Sequence, residues 1–232
     1  MKLLLYTHSD YNWVWKYWHK QTDKFLSNIK KICLVNSNSE FREDYYVIKY
    51  DDKKNYKNRI ISCLEKLDDN EIVIFLHEDM FLYDIPKFDI LNEYYQLILQ
   101  EKCHSIKLIR AFENLEKSNL HRNLLINPLD QLFSIQPTMI KVKNLKYVFL
   151  NAPGKNIWEF EANTSERYLK NFISLCSFYD TFDKKRGKYH YDSTVFPYIC
   201  TAVIKGKWNY KEYKKELFEI FYNKKFNFFA YY

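Results

Sequence analysis

Glycine is scarce in this chain, with only Gly154, Gly187 and Gly206 among 232 residues. A phosphate cradle of the dinucleotide-binding or P-loop kind needs several glycines in one turn, so both are excluded, and any nucleotide must be held by side chains. Also missing is any stretch of about 20 consecutive apolar residues, the length an apolar membrane-spanning helix requires. The opening Met1-Lys2-Leu3-Leu4-Leu5-Tyr6 starts like a signal peptide, but His8, Ser9 and Asp10 end the run early and no small-residue cleavage site follows. It reads instead as a first strand. The five cysteines (Cys33, Cys63, Cys103, Cys176 and Cys200) are odd in number and widely spaced, each within an apolar run. Neither a disulfide framework nor a zinc site is indicated, and a reducing compartment, the cytoplasm, is expected.

Charge and aromatic residues are plentiful. The 36 Lys and Arg against 29 Asp and Glu give a formal net charge of +7, which suits an anionic ligand or a membrane surface. The basic residues are dispersed and mostly lysine, and the aromatic residues fall at core-like spacings, so no nucleic-acid stacking platform is expected. The Lys-rich C-terminus (Lys205, Lys207, Lys211, Lys214, Lys215) has two readings: peripheral contact with a membrane or anionic acceptor, or the solvated side of an amphipathic helix.

Short apolar runs alternate with helical periods through the first half, the pattern of helices on a mostly parallel sheet. Strands are predicted at Lys2 to Thr7, Lys31 to Val35, Tyr45 to Lys49, Ile72 to Leu76 and Ser105 to Ile109, with helices near 12–25, 55–67 and 88–99. The unbroken run Ile72-Val73-Ile74-Phe75-Leu76 has the look of a central strand covered on both faces. Beyond Arg110 the pattern predicts a polar stretch to Asn127, short strands around Phe133 and Met139, and a helix near Leu145. The segment around Trp158 to Glu161, if extended, buries Trp158 and Phe160 and turns the acids to the other side, and Asn163 with Glu166 reads as the capping box of a helix carrying Leu169, Phe172, Ile173 and Cys176. A strand over Val195 to Ile204, bent at Pro197, and a closing amphipathic helix complete the reading. The whole is one α/β domain over residues 1–232, with a nucleotide-binding half, 1–110, and an acceptor half, 111–232.

The central strand ends in His77-Glu78-Asp79, placing carboxylates where open α/β sheets bind ligands. Two readings stand at this point: a site for a hard divalent cation bridging phosphates, and a solvated turn.

The stretch Phe75-Leu76-His77-Glu78-Asp79-Met80-Phe81-Leu82-Tyr83-Asp84 resembles the acidic motif region of small GT-A-fold glycosyltransferases of bacteria and large viruses. Further matches in order are Tyr6 to Tyr11, Tyr50-Asp51-Asp52 with Tyr56 and Arg59, Ser134-Ile135-Gln136-Pro137, Trp158 to Glu161, and Phe196-Pro197-Tyr198 through Gly206-Lys207-Trp208. The pair Glu-Asp departs from the family's Asp-x-Asp form. The resemblance implies a central, mostly parallel twisted sheet with helices on both faces and a smaller acceptor-side subsheet. It implies transfer of a sugar from a nucleoside-diphosphate sugar to a glycan or lipid-linked acceptor, assisted by Mn2+ or Mg2+. Asp79, Glu78 and His190 are then the candidate metal ligands. Thr7, Asp51, Tyr56 and Arg59 are candidates for the donor, joined by Glu78 and Asp79. Glu161 is the first candidate for the base of an inverting transfer and Glu159 the second, with a retaining mechanism open. Ser134, Gln136 and Trp158 are candidates for the acceptor. Two other classes remain: a sugar nucleotidyltransferase, whose usual glycine-rich signature is missing here, and a non-catalytic carbohydrate-binding module.

Overall fold

The computed structural model describes residues 1–37, 40–110, 112–178, 185–186 and 190–222, and of His190 the backbone only. The elements run β1 (Lys2–Tyr6), a single 3-10 turn (Ser9–Tyr11), α1 (Asn12–Phe25), β2 (Lys31–Asn36), β3 (Tyr46–Tyr50), α2 (Tyr56–Leu64), β4 (Ile72–His77), α3 (Phe88–Leu99) and β5 (Ser105–Lys107). The chain continues with β6 (Leu124–Ile126), β7 (Thr138–Lys141), α4 (Val142–Asn151), α5 (Ile157–Ala162) and β8 (Ser174–Ser177). It ends with the short strands β9 (Lys185–Arg186), β10 (His190–Tyr191), β11 (Val203–Ile204) and β12 (Lys207–Trp208), followed by α6 (Tyr210–Tyr222).

Eight strands form one sheet in the order β3-β2-β1-β4-β7-β5-β8-β6. Strands β3, β2, β1 and β4 are parallel, β7 runs antiparallel to both its neighbours β4 and β5, and β6 closes the far edge antiparallel to β8. The first three strands step one way across the sheet and β4 returns to the other side of β1. Right-handed crossovers therefore put α1 and α2 on opposite faces. α4 packs on α2, and α6 packs on α1, where Tyr17 meets Phe221 at 4.5 Å between ring centroids.

The fully apolar β4 is the strand this layering requires. Covered on both faces, Ile72 to Leu76 are all buried, as are Leu3, Leu4 and Leu5 beside them. Burying each such side chain stabilises the fold by roughly 1.5–3 kcal/mol. The two antiparallel ribbons, β9 with β10 and β11 with β12, stand apart from the main sheet. The second turns through Lys205 (φ 49°) and Gly206 (φ 73°), a pair of positive φ angles that a two-residue hairpin demands and glycine supplies without strain.

Five expectations are corrected. Trp158 to Glu161 is the helix α5, because the Asn156 side chain accepts the Glu159 N–H at 2.9 Å and caps it. Asn163 is the end of that helix, and Cys176 of the expected following helix lies in β8. Phe133, Ser134 and Gln136 lie in irregular chain before β7, while the polar stretch before Asn127 contains β6. Over Val195 to Ile204 only the last two residues form a named strand; the rest runs beside 79–83 through the Tyr83 N–H to Pro197 and Ile199 N–H to Phe81 carbonyl bonds.

Candidate functional site

In an open α/β sheet the crevice for ligands lies beyond the carboxyl ends of the two strands where the strand order reverses. Here those strands are β1 and β4. Their register pairs Tyr6 with His77, so Thr7 and Glu78, one residue further on, emerge side by side. The Thr7 hydroxyl takes the Trp15 indole N–H at 2.8 Å and acts on the Glu78 carboxyl beside it. Glu78 is thereby buried at 6% exposure. Beneath this edge Tyr6 stacks on Tyr50 at 5.3 Å and meets Tyr56 edge-on, and the Tyr56 hydroxyl bonds His77 Nε2 at 3.0 Å. Burial depresses the His77 pKa to about 3, so its imidazole is neutral.

Asp79 faces a cavity of about 650 Å³, within the range of small-molecule sites. The segment 197–202 forms one wall: the Ala202 N–H bonds the Asp79 carbonyl at 3.0 Å, bringing Cys200 and Thr201 to the cavity. Opposite stand Ser134 and Gln136 from the chain before β7, and Trp158 and Glu161 from α5. The Gln136 Oε1 accepts the Tyr198 hydroxyl at 2.7 Å, which leaves its amide N–H groups as donors. Glu161 accepts the Ile135 N–H through Oε1, and the pairing holds the carboxyl in one orientation. Trp158 is 79% exposed at the rim, a large apolar surface left in water.

The carboxyls here are held in unusual states. Burial and the charge of its neighbour Asp79 push the Glu78 pKa up, and burial does the same for Asp79 against two backbone N–H bonds. Burial also raises Glu161, opposed by the Ile135 N–H and by the charge of Lys107. Among the described residues neither Glu78 nor Asp79 enters an ion pair, and no third His, Cys, Asp or Glu joins them in a metal cluster. A buried carboxyl beside a half-buried one, with no ion-pair partner among the described residues, fits a hard divalent cation that draws its other ligands from water and substrate phosphates. The His190 side chain lies outside the described residues.

The remaining candidates sit elsewhere. Asp51 is exposed and caps the Lys53 N–H at 2.9 Å. Arg59 clamps its own loop, donating to the Lys54 carbonyl at 2.8 Å and to the Asp52 carbonyl at 2.5 Å. Thr7 and Tyr56 are packed behind the acidic edge. Glu159 is exposed and closes the α5 capping box, with Oε2 accepting the Lys155 N–H at 2.9 Å. The structure thus gathers Asp79, Ser134, Gln136, Trp158 and Glu161 around one cavity and leaves Asp51, Arg59 and Glu159 outside its wall. It adds His77, Phe112, Gln131 and Thr201, wall residues that sequence reasoning missed. His77 alone had a signal, its place at the end of the buried strand.

No protein-family model matches the chain, and no curated protein matches it. Among solved structures it is similar to the bifunctional IspDF from Campylobacter jejuni, at 15% identity and a TM-score of 0.43 over 80% of this chain and 52% of that one. It is also similar to the galactosyltransferase LgtC in complex with donor and acceptor sugar analogues, at 11% identity and a TM-score of 0.42 over 75% of this chain and 67% of that one. The match thus spans about half the length of IspDF.

Proposed function

We propose that this chain is a GT-A-like glycosyltransferase that moves a sugar from a nucleoside-diphosphate sugar to a hydroxyl of a glycan or lipid-linked acceptor with inversion. The observation that carries the reading is one cavity at the switch point of the sheet, lined by Asp79 of the acidic strand tip and by a separately held carboxyl, Glu161, among polar and aromatic side chains.

The roles follow from the surroundings of each group. Asp79, supported by Glu78, would hold Mn2+ or Mg2+, whose charge stabilises the departing diphosphate. The Trp15, Thr7 and Glu78 chain fixes the acidic edge, and the Tyr50 hydroxyl bond to the Thr7 carbonyl at 2.7 Å ties that edge to the nucleotide side. Glu161 takes the proton of the attacking hydroxyl on its free oxygen while the Ile135 N–H keeps the carboxyl aimed. Gln136, Ser134 and neutral His77 supply hydrogen bonds to sugar hydroxyls, and the Trp158 ring offers a stacking face at the rim. Glu159, bound up in its helix cap, supports the helix and leaves the base role to Glu161.

A screen of uridine, guanosine and deoxythymidine diphosphate sugars, each with and without manganese, tests the reading. One donor stabilises the protein against heat and is slowly hydrolysed, and Asp79→Asn abolishes the hydrolysis without unfolding the chain. Binding of no nucleotide by a protein that binds plain oligosaccharides would make it a carbohydrate-binding module. Release of pyrophosphate from a nucleoside triphosphate and a sugar phosphate would make it a nucleotidyltransferase.

A further inference from the structure

Lys107 is the last residue of β5, paired with Thr138 on one side and Cys176 on the other. It is only 2% exposed, and its Nζ has no hydrogen-bond partner. Three residues on, the buried Nε of Arg110 is likewise without one. The Arg110 guanidinium lies over the Tyr191 ring at 3.9 Å and near Phe178 at 5.5 Å. Aromatic faces recover part of the cost of burying a cation but accept no N–H in the manner of an oxygen. Among the described residues, Glu113 is an acid on which Arg110 acts, and it is committed to Lys185 and to the Tyr191 hydroxyl at 3.0 Å. A buried ammonium and a half-buried guanidinium with an unmet Nε call for an anionic partner that the described residues do not supply.

Both cations act on the Cys176 thiol, and Lys107 lies behind the cavity wall. The Lys107 ammonium is 5.6 Å from the centroid of Phe112, a wall residue, and its charge acts on Glu161, another. In the sheet, β7 separates β5 from β4, which sets Lys107 about 10 Å across from the strand bearing the acidic tip. The diphosphate assigned to Asp79 therefore lies at the other end.

We propose that Lys107 and Arg110 form an anion-binding pocket at the β5 end of the cavity, which takes a carboxylate or phosphate group borne by the sugar substrate. Assigning that anion to a sugar rests on the glycosyltransferase reading; the pocket itself rests on the two unmet donors. A neutral hexose would leave both cations uncompensated, whereas a uronic acid or sugar phosphate would pair with them by charge-assisted hydrogen bonds.

Ligand-observed NMR titrations without nucleotide test this, using glucuronate, glucose 6-phosphate and glucose as probes. At least one of the charged sugars binds and glucose binds at least tenfold more weakly, roughly the value of one charged hydrogen bond. The two charged probes separate a carboxylate site from a phosphate site. Lys107→Met and Arg110→Met each weaken binding of the charged sugar by about tenfold or more. Lys107→Met also raises the melting temperature of the free protein, because it removes an unpaired buried charge. Should it fail to fold, Lys107→Gln replaces it. Equal binding of glucose, no binding of either charged sugar, or unchanged affinity in the Lys107 variant would overturn the pocket. Nucleotide binding with manganese is followed in parallel on the same variants and stays unchanged. Its absence in the wild-type protein, with charged-sugar binding intact, would remove the glycosyltransferase reading while supporting the pocket.

Discussion

Glu161 and Asp79 are both carboxyls in one cavity, but different fixtures give them different work. Glu161 has one oxygen tied to a backbone N–H and the charge of Lys107 behind it. As a base it must be ionised, so the acid limb of kcat/KM lies above the ordinary carboxylate range, and Lys107→Met moves it higher still. Glu161→Gln lowers kcat by about 100- to 10,000-fold, the span of a lost general base, with donor affinity unchanged. Weakened donor binding with transfer intact would take the role from it. Asp79 differs in having no ion-pair partner among the described residues. Its folded-state pKa is raised, so the stability of its neutral form is fully present below the ordinary carboxylate pKa and is lost as pH rises through the raised value. Asp79→Asn is always neutral. It therefore melts higher than wild type at about pH 8, and the gap closes by about pH 4. An equal gap at both pH values would contradict the buried, uncompensated charge.

Among the elements, α5 carries the proposed base. Its Phe160 stacks on Phe149 of α4 at 4.6 Å with rings 8° from parallel, and the next residue is Glu161. Phe160→Ala should cost about 3–5 kcal/mol of unfolding free energy, read by denaturant titration. Gly154 lets the preceding loop lie directly on this helix, since a Cβ there would fall on the backbone nitrogen and Cα of Phe160. Gly154→Ala pushes the helix and Glu161 out of place, so it lowers transfer more than donor binding. The strands and helices of the first half were legible in the sequence because each carries its own period: β4 by its unbroken apolar run, α2 by Ile60 and Leu64 on one side. α5 was misread because two Asn residues, each three before a Glu, compete as caps, and local pattern does not rank Asn156 with Glu159 over Asn163 with Glu166. β8 was hidden in the same way, its Cys176 completing a helix period with Leu169, Phe172 and Ile173. Of the cavity, Asp79 and Glu161 were readable from strand position and from the resemblance. Arg59 lies outside the cavity wall, where its planar cation serves loop carbonyls. Lys107 was missed although it interrupts the apolar run Ile106 to Ile109, which was its signal.

The whole molecule is built on one sheet that interleaves the two halves read from the sequence. β7, from the second half, lies between β4 and β5 of the first. Residues 1–110 alone should accordingly fail to fold, and the full chain should unfold in a single transition when followed by circular dichroism and by tryptophan fluorescence. At the surface, Lys211, Lys214 and Lys215 are exposed on α6 while Tyr213, Leu217 and Ile220 are buried, the solvated side of an amphipathic helix. Among the described residues no helix is long and apolar enough to cross a membrane. The central claim is that one cavity joins a diphosphate-metal end at Asp79 to a transfer end at Glu161. It is tested most directly by calorimetric titration of wild type, Asp79→Asn and Glu161→Gln with the donor selected by the screen, in manganese and in chelator. Wild type and Glu161→Gln bind with similar affinity in manganese, while Asp79→Asn, or wild type in chelator, binds at least tenfold more weakly. Equal donor binding by all three proteins, with and without manganese, would contradict the account.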